Sequence, residues 1–135
     1  MTEISYVRVS DVMSPGVRTI GRVATVAEAI EMIRKEGVSS LVVERHDDSD
    51  EFGMLTIRDI ACEVVAKGKP ADRTSVYEIM SKPVLTVSST MNIKYAVRLL
   101  VRFSVSRALV VDENRNPVGI ATLRDMVLGH TVVAE

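Results

Sequence analysis

The sequence predicts a mixed α/β fold of the α+β kind, built from two pseudo-symmetric β-α-β-β-α repeats packed sheet to sheet. Three observations carry this expectation. The heptapeptide GMLTIRD, Gly53 to Asp59, returns sixty-six residues later as GIATLRD, Gly119 to Asp125. The chain around it also aligns with itself: VSDVMSPGVRTI (Val9 to Ile20) falls on VYEIMSKPVLTV (Val76 to Val87), AIEMI (Ala29 to Ile33) on AVRLL (Ala96 to Leu100), and VSSLVV (Val38 to Val43) on VSRALV (Val105 to Val110). The offset is 67 until one deletion in the following turn makes it 66. Finally, 135 residues with 47% hydrophobic and 26% charged content suffice for one sizeable core and not for two large independent domains.

Each element follows from local pattern. Val17 to Ile20 is a short β-rich segment. Thr25 and Glu28 form a Thr-x-x-Glu capping box ahead of Val26, Ala29, Ile30 and Ile33, an apolar stripe at helical spacing, and Gly37 stops that helix. LVV (Leu41 to Val43) is a buried-strand run, RHDDSDE (Arg45 to Glu51) is a solvated turn, and FGMLT returns as the paired strand. A second helix runs from about Ile57 to Gly68. The second copy repeats the order, with Ile93, Ala96, Val97 and Leu100 as its helical stripe, ALVV (Ala108 to Val111) as its strand and DENRNP (Asp112 to Pro117) as its turn. The first repeat spans 1–69 and the second 70–135, leaving the first few residues, the connector near KGKPADRTS and a short C-terminal tail outside the match. Neither copy alone covers both faces of so small a sheet, so the two are expected to share a core about a pseudo-twofold axis.

Composition narrows the function. With 17 basic against 18 acidic residues and a net charge of -1, no basic excess points to nucleic acid. Cys62 is the one cysteine, so no intrachain disulfide forms, and its neighbours Ile60, Ala61, Val64 and Val65 suggest a small core residue. No apolar run approaches the roughly 18 residues of a membrane span, and the N-terminal MTEISYVRVSD lacks the features of a secretory signal. A soluble cytoplasmic protein without a membrane partner is expected. His46 and His130 read as surface residues, and DDSDE (Asp47 to Glu51) lacks the Gly and closing Glu of a calcium loop, so no metal is expected. Met13 and Met80, at equivalent places, read as packing residues. No nucleophile, base and orienter assemble with any specificity, so neither an enzyme nor a catalytic cofactor is expected.

The repeated heptapeptide admits two readings. Thr-x-x-Asp where a strand becomes a helix is a capping box in its own right. The same geometry presents free N–H groups and the positive end of a helix dipole, which favour phosphate. Thr56 or Thr122 would add a hydroxyl there, and Asp59 or Asp125 would offer carboxylate oxygens to the vicinal hydroxyls of a ribose. Gly53 and Gly119 would let backbone or ligand approach closely.

The duplicated V-M-S…P-V-T-V, the helix, V-S-x-x-x-V-V and the closing Gly-apolar-x-Thr-x-x-Asp together resemble a pair of cystathionine-β-synthase (CBS) domains, the unit called a Bateman module. The resemblance covers almost the whole chain. It implies a regulatory module, here stand-alone, binding an adenosine-containing ligand: AMP, ADP or ATP first, S-adenosylmethionine or NAD as alternatives. It also implies crossed sites. One would combine Thr56, Arg58 and Asp59 with Thr86, Val87, Val105, Ser106 and Arg107; the other, Thr122, Arg124 and Asp125 with Thr19, Ile20, Val38, Ser39 and Ser40. The chain departs from the family in lacking Pro before either V-V strand, and only the second copy keeps a cation there, Arg107. An Arg fork suits phosphate, so the site containing Asp59 is expected to take the more phosphorylated ligand. A homodimer is expected, through apolar positions such as Ile60, Val64, Met126 and Val127 on the closing helices and from the resemblance, along with a regulated protein partner of unknown identity. A structural dimerisation module with empty sites is the alternative.

Overall fold

The computed structural model describes residues 6–130; the C-terminal tail beyond His130 lies outside them. The chain divides into two compact units: Arg18–Val84, here the Asp59 unit, and the residues up to Val17 together with those from Leu85 onward, here the Asp125 unit.

In the Asp59 unit, β2 (Thr19–Ile20) runs parallel to β3 (Ser40–Val43), which pairs antiparallel with β4 (Gly53–Thr56). A parallel pair needs a crossover, and α2 (Val26–Glu36) provides it. Its predicted box is formed: the Glu28 N–H donates to Thr25 Oγ1 at 3.1 Å and the Thr25 N–H to Glu28 Oε1 at 2.8 Å. Val26, Ala29 and Ile33 point into the core with Ile20, Leu41, Val43 and Leu55. After β4 the chain forms α3 (Ile57–Ile60) and widens into one π turn, Ala61–Val65, closed by an Ala66 N–H bond to the Ala61 carbonyl at 2.8 Å. Ile60 and Val64 seal the core from this side.

The Asp125 unit repeats the plan. β5 (Thr86–Ser88) is parallel to β6 (Arg107–Val111), with α4 (Ile93–Arg102) as the crossover. β6 pairs antiparallel with β7 (Pro117–Thr122), which leads into α5 (Leu123–His130). Val87, Ile93, Ala96, Leu100, Ala108, Val110, Ala121 and Met126 form its core.

Each unit borrows the leading segment of the other repeat. Val9, on the short α1 (Val9–Val12), is fully buried in the core of the Asp125 unit, and β1 (Ser14–Pro15) lies on the edge of β7, Ser14 beside Ile120 and Pro15 beside Gly119. Symmetrically, Val76 and Ile79 enter the core of the Asp59 unit, and Ser81 exchanges two hydrogen bonds of 2.9 Å with Met54 on β4. This exchange covers one face of sheets too small to close by themselves, and each unit has a core of its own.

The repeated glycines of the heptapeptides sit beneath these borrowed segments. A Cβ on Gly119 would lie 2.6 Å from both Met13 Sδ and the Ser14 carbonyl oxygen; one on Gly53 would lie 2.8 Å from Met80 Sδ and 3.1 Å from the Ser81 oxygen. Backbone approach, one of the two roles considered for these glycines, therefore requires glycine at Gly119, whereas at Gly53 the backbone oxygen is tight and the overlapping atom is the end of the flexible Met80 side chain; Met13 and Met80 are the packing residues expected.

Two expectations need correction. Cys62 is exposed: Ile60 and Val64 take the core-facing line of that helix, and a residue midway between them faces away. For the same reason Ile60, Val64 and Met126 are buried in their own units and form no outer surface, whereas Ile57 (49% exposed), Val65 (70%), Val127 (55%) and Leu128 (52%) do. The turn at Arg45–Glu51 is largely exposed, as expected, and within it Asp50 reaches Lys82 Nζ at 2.7 Å and accepts the His46 N–H at 2.8 Å.

Candidate functional site

Each heptapeptide ends where a sheet's last strand turns into its closing helix. The Asp59 N–H donates to Thr56 Oγ1 at 3.1 Å, and the Thr56 N–H returns a 2.9 Å bond to Asp59 Oδ2. At the second copy the Asp125 N–H reaches Thr122 Oγ1 at 3.0 Å and the Thr122 N–H reaches Asp125 Oδ2 at 3.1 Å. Both capping boxes are thus formed, which places the carboxylates over the helix starts. Each uses only Oδ2 in this; Oδ1 of Asp59 and of Asp125 accepts no hydrogen bond within the described residues. All four Thr and Asp residues are half-buried, while Arg58 and Arg124 are exposed.

The neighbouring strand completes each constellation. The Ile57 N–H donates to the Ser39 carbonyl at 3.0 Å and the Leu123 N–H to the Ser106 carbonyl at 2.9 Å, so the approaches to β3 and β6 lie against the helix starts. Register puts Ser40 directly beside Thr56 and Arg107 directly beside Thr122. Thr19, Ile20, Val38, Ser39 and Ser40 therefore belong to the unit of Thr56, Arg58 and Asp59; Thr86, Val87, Val105, Ser106 and Arg107 belong to that of Thr122, Arg124 and Asp125. Ile20 (5% exposed) and Val87 (2%) are core side chains and can offer a ligand only backbone, whereas Thr19, Thr86, Ser39 and Ser106 are exposed. Val105 is 38% exposed.

One difference between the copies bears on charge. The position beside the motif threonine is Ser40 in one unit and Arg107 in the other. A guanidinium next to a helix start strengthens attraction for an anion there.

Sequence reasoning missed the Asp50–Lys82 pair, which fastens the chain entering β4 to the borrowed segment. Its signal was present: Lys82 stands where the first copy has Pro15, and Asp50 lies in the acidic turn. The Lys82 ammonium, with the His46 and Glu51 backbone N–H groups, holds the Asp50 carboxyl below its ordinary value of 3.8. A depressed native pKa contributes stability that is complete above the unfolded value and is lost as pH falls through the native one. Asp50→Asn should therefore flatten the acid limb of thermal stability below about pH 4. Melting curves across that range check this, and an unchanged acid limb would contradict it.

The comparisons with known proteins agree with this architecture. The CBS domain model matches residues 9–66 and 76–128. An uncharacterized protein, MK0525, of Methanopyrus kandleri is 34% identical over 121 residues; the match covers 90% of this chain, which spans 61% of that protein. Among solved structures, the hexameric CBS-CP12 protein from bloom-forming cyanobacteria superposes with a TM-score of 0.88 at 30% identity, over 94% of this chain and 73% of its own. The CBS domain protein PAE2072 from Pyrobaculum aerophilum, complexed with AMP, shares the fold with a TM-score of 0.78 at 22% identity, over 93% of this chain and 99% of its own. With both copies matched along most of its length, this chain belongs to the CBS-domain family and carries two CBS repeats in tandem.

Proposed function

We propose that the chain is a regulatory module that binds an adenosine-containing ligand, AMP, ADP or ATP, and passes the change to a dimer partner or a regulated protein. The observation that carries this reading is the repeated Thr/Asp box: in each unit a carboxylate fixed over a helix start keeps one oxygen, Oδ1, outside the capping bonds. A ribose diol needs such an oxygen, and a phosphate is favoured by the helix start beside it. The AMP complex of PAE2072 supports the class of ligand. Arg107, beside Thr122, makes the Asp125 motif the one we assign to phosphate, a reading that differs from the cross-copy pairing of Arg107 with Asp59 expected from sequence. Homodimerisation would cover Ile57, Val65, Val127 and Leu128, apolar side chains at least half exposed or nearly so on the closing helices. The formed capping boxes favour a second reading, in which the motif only starts a helix and the module is structural.

A thermal-shift series tests the first reading. A ligand at about 100 times its dissociation constant adds roughly 2.7 kcal/mol, which raises the Tm of a chain this size by several degrees. AMP, ADP or ATP should raise it more than UTP or CTP. Equal shifts by purine and pyrimidine nucleotides would reduce the site to a phosphate site and remove the adenine assignment.

A further inference from the structure

We propose that the exposed face of α4 docks on the acidic β3–β4 hairpin of a second copy of this chain, in a salt-sensitive, head-to-tail contact. Lys94, Arg98 and Arg102 follow one another at four-residue intervals and so share one face of α4. All three are exposed, and the helix carries no carboxylate. Among the described residues none of them forms an ion pair. Lys94 and Arg98 instead lie 5.0 and 5.5 Å from the Tyr95 ring centroid. Tyr95 (50% exposed), Val101 (64%) and Phe103 (57%) give this cationic face apolar margins. A face of that composition suits an acidic protein surface, with aromatic area to desolvate the contact.

The complement is on the same chain. The β3–β4 hairpin exposes Glu44, Asp47, Asp48 and Glu51 within eight residues. It is held in one shape by the Asp50–Lys82 pair, the Ser49 N–H bond to Asp47 at 2.9 Å and Arg45, which lies 4.8 Å from the Phe52 ring centroid and pairs with Asp48 at 3.2 Å, while Glu44 and Glu51 form no ion pair among the described residues. Its carboxylates are thus presented with little left to order on contact. The equivalent places in the other copies lack these charges. Helix α2 mixes Glu28, Glu31 and Glu36 with Arg34 and Lys35, and pairs Arg34 with Glu31 and Glu36 with Arg18. The hairpin at Asp112–Pro117 balances Asp112 and Glu113 with Arg115 and spends Asp112 on the backbone N–H groups of Asn114 and Asn116. The two copies have diverged toward opposite charge at different positions while the chain stays near neutral, at -1. Because the two surfaces differ, the contact is heterologous and adds to any twofold dimer. It does not depend on nucleotide binding.

Sedimentation velocity of the full chain at about 50 mM and about 500 mM salt tests this, since exposed charges are largely screened at the higher value. The expected result is a species heavier at low salt than at high salt. Arg98→Glu and Glu51→Lys should each weaken the low-salt association roughly tenfold or more, and both substitutions in one chain should restore it. Lys94→Glu with Glu44→Lys repeats the exchange at independent positions should one of the first variants fail to fold. Equal mass at both salts, single reversals that leave the mass unchanged, or a folded double variant that stays dissociated would each overturn the proposal. Adenine-nucleotide binding by these variants should match the parent chain, so this contact and the proposed function fail separately.

Discussion

Gly119→Ala should destabilise the protein by about 1–3 kcal/mol, the range for forcing extra volume into a packed site. The new methyl would stand 2.6 Å from the Ser14 carbonyl oxygen. That oxygen belongs to backbone paired in register with β7, Ser14 beside Ile120 and Pro15 beside Gly119. It cannot retreat without loosening the borrowed segment, whose Val9 is fully buried in the same core. Met13 Sδ, also at 2.6 Å, would have to move as well. Gly53→Ala provides the internal comparison. There the nearest atom is Met80 Sδ, the end of a flexible side chain, and the Ser81 oxygen is farther away, at 3.1 Å. Its cost should be the smaller of the two. Thermal or urea melts read both, and a Gly119→Ala variant as stable as the parent would refute the close approach.

The second large effect is on affinity. Asp125→Asn and Asp59→Asn keep shape while removing a carboxylate that caps through Oδ2. As caps alone, each change should cost a few tenths to about 1 kcal/mol of stability and leave ligand affinity untouched. If Oδ1 receives ribose hydroxyls, losing charge-assisted bonds worth about 1.5–3 kcal/mol should weaken binding roughly tenfold to a hundredfold. Arg107 adds a discriminator. It stands beside Thr122, so Arg107→Ala should weaken ATP more than AMP at the motif containing Asp125. Equal losses for the two ligands would remove the phosphate role given to that guanidinium.

Much of the architecture was legible because repetition exposes it. The Thr25-x-x-Glu28 and Thr-x-x-Asp boxes, the apolar stripes of α2 and α4 and the three strand runs of each copy are local patterns, and local hydrogen bonding and periodicity decide them. The exchange of leading segments was not legible. Nothing within VSDVMSP or VYEIMSKP states which sheet it will cover; that depends on contacts between residues far apart, such as Ser14 with Ile120. Cys62 and the outer faces of the closing helices were misread for another reason: apolar residues on consecutive positions hide which line meets the core, and a π turn at Ala61–Val65 shifts the phase. At the site, the motif residues were readable from spacing, whereas the position of Arg107 beside Thr122 required the register of β6 on β7.

Isothermal titration calorimetry of the unmodified chain with AMP, ADP, ATP, S-adenosylmethionine and NAD tests the central claim most directly. Saturable binding of at least one of them, AMP, ADP or ATP foremost, is expected, and it should be weakened by Asp59→Asn or Asp125→Asn. No heat of binding from any of the five at millimolar concentration, with the fold intact, would contradict it and leave the repeated heptapeptide as a repeated helix start.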